Sequence, residues 1–203
     1  MGSPAQTCGI VILAAGASTR LGQSKQLVII DNKPLLHQAA ETALSITSKV
    51  AVVLGSDFER HKAVLEGVPV LIIENKDWSR GMGSSLKSGL QSILSQYPNI
   101  DEVIMMVCDQ PLLGTKHLQN LLDTIHRTHA VIVASQYKGG AGVPAIFGKE
   151  AFRRLAMLDD ASGAKQLFQQ MKEQIVMIDF PEGDVDVDTP EDLQRLKEKK
   201  GRL

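Results

Sequence analysis

The chain predicts a single-domain α/β fold, a mainly parallel sheet with helices on both faces. Three observations carry this. Short aliphatic runs recur from end to end, at residues 9–13, 50–54, 70–73, 103–107, 131–134, 145–147 and 175–178. Most are near-continuous in β-branched or aliphatic residues, as expected of strands covered on both faces. Amphipathic stretches separate them: Leu86, Leu90, Ile93 and Leu94 follow helical spacing, as do Leu118, Leu121, Leu122 and Ile125. Strand and helix alternating in this way build parallel sheets. The 203 residues suffice for one domain with a sizeable core, and no repeat or low-complexity linker divides them. Residues 1–7 and 200–203 read as flexible ends.

Composition narrows the function. A formal net charge of −1 offers no basic surface to nucleic acid or to an anionic membrane. No apolar stretch is long enough to span a bilayer. Two cysteines, Cys8 and Cys108, each abut an apolar run, which suits a reducing cytoplasm rather than a disulfide framework. The acidic neighbour Asp109 would raise the Cys108 thiol pKa, the wrong direction for a nucleophile. The five histidines show no metal-ligand spacing and read as surface or packing residues.

Ligands of parallel sheets bind beyond the carboxyl ends of the strands, so the residues following each run come next. After the first stand Leu13-Ala14-Ala15-Gly16-Ala17-Ser18, then Arg20 and Lys25. Small side chains let a large ligand lie against main-chain N–H groups, and two fixed cations suit a polyanion. A nucleoside triphosphate is the natural candidate, and a plain tight turn is the alternative. Neither the G-x-x-x-x-G-K-[ST] nor the G-x-G-x-x-G phosphate fingerprint is present. Residues 26–30 and 33–36 flank a small turn at Asp31-Asn32.

Gly55-Ser56 follow the second run. After the third, Gly81-Met82-Gly83-Ser84-Ser85 open a helix, either meeting a ligand with free N–H groups or forming a loop with a serine N-cap. Trp78, the only tryptophan, reads as a packing anchor, with base stacking as the alternative. After the fourth run stands Asp109, for which helix capping is the alternative use, weakened by Pro111 and by the distance to the helix starting near Thr115. Beside a triphosphate, a carboxylate there would hold Mg²⁺.

Asp184, Asp186 and Asp188 would share one face of an extended segment and meet a cation, a partner or water. Asp188 is a metal candidate with Asp109, helix capping being its other use. Thr189-Pro190-Glu191-Asp192 has the form of a helix start.

In combination these motifs resemble the MobA-like nucleotidyltransferases. The resemblance rests on Leu13-Ala14-Ala15-Gly16 with Ser18, Arg20, Gly22 and Lys25, on Asp109-Gln110-Pro111, on Gly142-Val143-Pro144-Ala145, and on the run from Asp186 to Asp192. It covers the chain from about Cys8 to Leu196. It implies a Rossmann-like nucleotidyltransferase (GT-A-like) fold. Within the family the chain is most similar to the molybdenum cofactor cytidylyltransferases. Ala15 stands where guanylyl-transferring relatives carry a second glycine, and residues 75–86 are similar to the cytidylyltransferase segment. Residues 160–165 are a looser variant of a late motif, with Lys165 in place of arginine. The cytidylyltransferases of isoprenoid synthesis fit less well: Ser24 stands where they have proline, and Cys108-Asp109-Gln110-Pro111 where they have Asp-Ala-Ala-Arg.

The resemblance implies transfer of CMP from CTP to the terminal phosphate of molybdopterin, with release of pyrophosphate. Leu13, Ala14, Ala15, Gly16, Arg20, Lys25, Gly55, Ser56, Gly83, Ser84 and Asp109 would bind the nucleotide. Arg20, Lys25 and Asp109 would serve catalysis, Asp109 and Asp188 would hold Mg²⁺, and Gly142, Val143, Pro144 and Asp186 would face the pterin. A molybdenum hydroxylase would receive the product. The alternatives are a guanylyltransferase for the same cofactor using GTP, a cytidylyltransferase for another small phosphate, and a non-catalytic chaperone that only holds the cofactor.

Overall fold

The computed structural model describes residues 7–18, 21–137, 140–185, 189, 191–192, 194 and 196. A seven-stranded sheet forms its centre. The strands are β1 (Cys8–Ala14), β4 (Val50–Leu54), β5 (Leu71–Glu74), β6 (Glu102–Val107), β7 (Ile132–Tyr137), β8 (Gly140–Gly148) and β9 (Ile175–Asp179), in the spatial order β5-β4-β1-β6-β8-β7-β9. All pairings are parallel except those of β8, which runs antiparallel to both β6 and β7. β1 is central and every one of its seven residues is buried, which is why its sequence is uniformly apolar.

Side-chain alternation along these strands feeds two cores. On one face Val11, Val53, Val103, Met105 and Phe147 pack under α3 (Met82–Gln96), α5 (Lys149–Ala156) and α6 (Ala164–Gln170). On the other, Ile10, Ile12, Val52, Leu54 and Ile104 meet α1 (Leu35–Leu44) and α4 (Thr115–Thr128). The short helix α2 (Phe58–Ala63) follows β4 and lays Phe58 against this second core. α3 lies so close to the sheet that a Cβ on Gly89 would stand 2.8 Å from Val53 and closer still to Val11.

The sequence boundaries hold for the early strands and shift in the later ones. β8 is nine residues long, not three, because Gly140–Gly142 pair with β7. The Gly142-Val143-Pro144 segment is therefore not a turn. The ladder runs from Ala134 opposite Ala145 to Ser135 opposite Gly142, leaving Val143 and Pro144 as a two-residue bulge. Proline has no N–H for the ladder, so a bulge accommodates it. Asp31 and Asn32, both at positive φ (51° and 63°), join β2 (Ile29–Ile30) to β3 (Lys33–Pro34) in a tight two-residue hairpin.

Asp184 lies in a 3₁₀ turn, Pro181–Asp184, and not in an extended strand. Thr189 and Asp192 bond reciprocally: the Asp192 N–H donates to Thr189 Oγ1 (3.2 Å) and the Thr189 N–H to Asp192 Oδ2 (3.0 Å). That is the capping arrangement expected at this helix start. Arg20, Asp186, Asp188, Pro190 and both chain ends (1–6 and 197–203) lie outside the described residues.

Candidate active site

Four strands end side by side. Leu13 of β1 is opposite Val53 of β4 and Val107 of β6, and Leu54 is opposite Glu74 of β5. The connections that follow leave the same sheet edge and enclose a cavity of about 320 Å³. Leu13, Ala14, Ala15, Gly16, Lys25 and Gln26 line one wall; Trp78, Ser79, Gly81, Met82 and Ser85 line the other; Val107, Cys108 and Asp109 complete it.

The first wall is held by a residue that the sequence did not single out. Gln26 is fully buried. Its Nε2 donates to the carbonyls of Ala14 (2.8 Å) and Gly16 (2.9 Å), and its Oε1 accepts from the hydroxyls of Ser18 (3.1 Å) and Ser24 (2.9 Å). Both donors and both acceptor positions of the amide are thus used. Ser18 also accepts from the Lys25 N–H (3.1 Å), closing the loop on itself. His61 Nε2 meets Ser24 Oγ at 2.5 Å. Since the Ser24 proton points to Gln26, the imidazole is the donor there. Burial lowers the His61 pKa, in keeping with a neutral ring. One local signal pointed here: an uncharged polar side chain set between Lys25 and the apolar Leu27-Val28.

Asp109 stands directly beyond β6. Its carboxylate accepts a hydrogen bond from Lys25 Nζ, and both side chains are more than four-fifths buried. This joins two residues 84 positions apart across the cavity. α4 is capped by Gly114, so Asp109 has no capping duty. Burial and the adjacent carboxylate push the Cys108 thiol up to about 12, which keeps it protonated and unreactive. No group of three His, Cys, Asp or Glu suited to a metal occurs among the described residues.

Behind Asp109, Gln110 connects three segments. Its Nε2 reaches the carbonyls of Val143 (3.1 Å) and Gly183 (3.0 Å). Tyr137 Oη donates to the same Val143 carbonyl at 2.9 Å, and Ser135 Oγ to the Pro144 carbonyl at 2.5 Å. The Val143-Pro144 bulge is therefore fastened from behind and tied to the Asp109 turn.

The structure brings Leu13, Ala14, Ala15, Gly16, Lys25 and Asp109 onto one cavity. Gly55, Ser56, Gly83 and Ser84 sit one layer back. Gly55 is wedged between Trp78 and the Ala15 carbonyl, which also accepts the Ser56 N–H (3.1 Å). The N–H groups of Gly83 (2.8 Å) and Ser84 (3.3 Å) donate to the Asp160 carbonyl rather than into the cavity. The Ser84 hydroxyl is engaged with Asn75 and with the carbonyls of Asp77 and Gly81. α3 is capped by Gly81, at φ 127°, and not by a serine. The cavity is lined instead by their neighbours Gly81, Met82 and Ser85.

Comparison with known proteins places this geometry. A family model described as a MobA-like NTP transferase domain matches residues 10–175. The chain is 31% identical to nicotine blue oxidoreductase of Paenarthrobacter nicotinovorans, covering 92% of this chain and 94% of that protein. It is 29% identical to the purine catabolism protein PucB of Bacillus subtilis (92% and 94%) and 23% identical to molybdenum cofactor cytidylyltransferase of Escherichia coli (93% and 95%). Among solved structures, the Rv0371c homologue of Mycobacterium sp. strain JC1 superimposes with a TM-score of 0.77 at 28% identity, covering 98% of both chains. Rv0371c of Mycobacterium tuberculosis in complex with manganese gives a TM-score of 0.68 at 24% identity, covering 95% of this chain and 98% of that one.

Proposed function

The chain belongs to the MobA-like NTP transferase family, and from that premise we propose that it transfers CMP from CTP to the terminal phosphate of molybdopterin, releasing pyrophosphate. The observation that carries this reading is the Lys25–Asp109 pair set against the bare backbone of Ala14–Gly16 in one cavity. Cation, carboxylate and unobstructed main chain are what a triphosphate needs in one place. The likeness to a molybdenum cofactor cytidylyltransferase supports the choice of base and acceptor.

In this reading the acceptor phosphate attacks the α-phosphorus of CTP and pyrophosphate leaves. A phosphate monoester has a second pKa of about 6, so it is largely ionised at neutral pH and needs no general base. No histidine lines the cavity among the described residues, and the Cys108 thiol stays protonated. The work left to the protein is alignment and charge neutralisation. Lys25 leaves Asp109 for the phosphates, and Arg20 adds a second cation. Gly142, Val143 and Pro144, fixed behind by Gln110, Tyr137 and Ser135, face the pterin together with Asp186.

The Asp109 carboxylate is a hard oxygen donor already facing a cation, which fits Mg²⁺. Asp188 is assigned as its second ligand. Val185 and Leu196, on either side of it in sequence, pack in the cluster of Leu21, Val28 and Leu112, next to the first loop and the Asp109 turn. When bound, Mg²⁺ would neutralise the charge on the triphosphate. No described helix is long and apolar enough to cross a membrane, and two buried free thiols suit the cytoplasm. A molybdenum hydroxylase would take the product.

The relative at 31% identity, named an oxidoreductase, favours a second reading, a redox reaction in the same cavity. The experiment is a thermal-shift panel of CTP, GTP, UTP and ATP with Mg²⁺, followed by pyrophosphate release on adding molybdopterin. CTP is expected to give the largest shift and to release pyrophosphate. A GTP preference would make the protein a guanylyltransferase. Cofactor binding without pyrophosphate release would make it a chaperone. Turnover that follows a redox change would support the second reading.

A further inference from the structure

We propose that Asp160 is a positioning residue for the nucleotide: it pins the wall of the cavity formed by Trp78 to Ser85. This rests on the reading of the cavity as a nucleotide site. The loop between α5 and α6 grips that wall from behind at three points. The Asp160 carboxylate pairs with Arg80 Nη2 (2.5 Å), the last residue of the 3₁₀ turn Trp78–Arg80. It also pairs with Lys87 Nζ (2.5 Å) on α3, and that ammonium donates to the Leu158 carbonyl as well (2.8 Å). The Asp160 carbonyl takes the Gly83 N–H, a first-turn donor of α3 that a helix start would otherwise leave open, and shares the Ser84 N–H with the Gly81 carbonyl.

The closeness of this grip explains two glycines. A Cβ on Gly81 would stand 2.5 Å from the Asp160 carbonyl oxygen, and one on Gly83 would stand 2.5 Å from the Ser162 carbonyl oxygen. The wall that carries Trp78, Gly81, Met82 and Ser85 is therefore held by an external strap in addition to its own Ser84 hydrogen bonds. A carboxylate is required because a single one bridges two cations, one on each side of Gly81. Releasing it lets the 3₁₀ turn and the start of α3 part, which widens the cavity without touching a group that contacts the nucleotide. Site geometry held by a supporting shell loses affinity steeply when that shell loosens.

The test measures CTP affinity with Mg²⁺ by calorimetry, beside the melting temperature. Asp160→Asn keeps the backbone carbonyl and the size of the side chain and removes both ion pairs. It is expected to raise the CTP Kd about tenfold while lowering the Tm by no more than about 4 °C, the range for partly exposed pairs. Asp160→Glu is expected to recover most of the affinity. The double variant Asp160→Asn with Arg80→Gln is expected to add little to Asp160→Asn alone, since both break one link. Asp101→Asn, which breaks the exposed pair with Lys149 elsewhere on the surface, serves as the control with unchanged Kd. An unaltered Kd in Asp160→Asn would overturn the proposal. So would a larger loss in Arg80→Gln alone than in Asp160→Asn, which would make Arg80 a direct ligand. A wild-type protein that binds no nucleotide overturns the proposed function instead, and the two failures are told apart by that first measurement.

Discussion

Gln26 concentrates more of the site's order than any charged residue does. Its amide makes four bonds, so Gln26→Leu would strand the buried Ala14 carbonyl and take one bond each from the part-buried Gly16 carbonyl and the Ser18 and Ser24 hydroxyls. Each stranded buried group costs about 1–3 kcal/mol, less what water recovers. A net loss of about 2–4 kcal/mol in urea unfolding is expected, together with loss of the nucleotide-induced thermal shift. An intact shift in a folded Gln26→Leu protein would mean that the loop holds its shape without the amide. In the proposed function, Lys25 and Asp109 act on chemistry rather than on folding. Asp109→Ala is expected to abolish pyrophosphate release, and Lys25→Ala to slow it by roughly 10²–10³, with CD spectra unchanged. Near-normal turnover in folded Asp109→Ala would remove the metal assignment. The sequence exposed Lys25 and Asp109 because each follows a strand and carries a charge. It hid Gln26, because an uncharged amide shows its use only once the chain has folded two carbonyls over it. Gly83 and Ser84 are ambiguous in the opposite sense: their small size fits close packing against residues 159–162 as well as it fits a ligand.

Among the elements, legibility followed burial. β1 and β4 are covered on both faces, so their aliphatic runs announced them within a residue of their ends. β8 did not announce itself, since Gly140, Gly142 and Pro144 carry loop chemistry and are held in the sheet by pairing with β7, a contact no local window contains. The hairpin at Asp31-Asn32 was visible because its signal is entirely local. Helix α3 was visible in its periodicity, but its depth was not. Gly89 lets it sink onto Val11 and Val53, two β-branched side chains with a single easy rotamer each and little room to yield. Gly89→Ala raises helix propensity by up to about 1 kcal/mol, yet a net destabilisation of about 1–3 kcal/mol is expected from overpacking. Urea unfolding decides between them. A stabilised Gly89→Ala would show that α3 can lift from the sheet at no cost, and with it the cavity wall at its N-terminus.

For the molecule as a whole, a histidine outside the cavity contributes to the acid side of the stability curve. His117, on α4, is buried against Phe180 with ring centroids 4.2 Å apart, and its Nε2 meets Ser135 Oγ at 2.7 Å. The Ser135 proton goes to the Pro144 carbonyl, so the neutral ring must donate through Nε2–H. Burial holds its pKa down to about 4, against the opposing charge of Glu182. In the unfolded chain the ring titrates near 6.5. Between about 6.5 and 4 the unfolded state therefore binds more protons than the folded one, and stability falls as pH falls through that window. Asp160 and Glu41 have lowered carboxyl pKa values, so what they contribute is lost only below the ordinary carboxylate range. A comparison of pH 7 with pH 5 thus isolates the histidines. His117→Gln places an amide N–H at about the reach of Nε2 and cannot titrate. The wild type is expected to lose several degrees of Tm, on the order of 2–4 °C per kcal/mol, between pH 7 and 5, and His117→Gln to lose clearly less. His61, lowered in the same direction, accounts for part of the remainder, and His61→Gln with His117→Gln should flatten the slope further. Equal slopes in all three proteins would place the titration elsewhere.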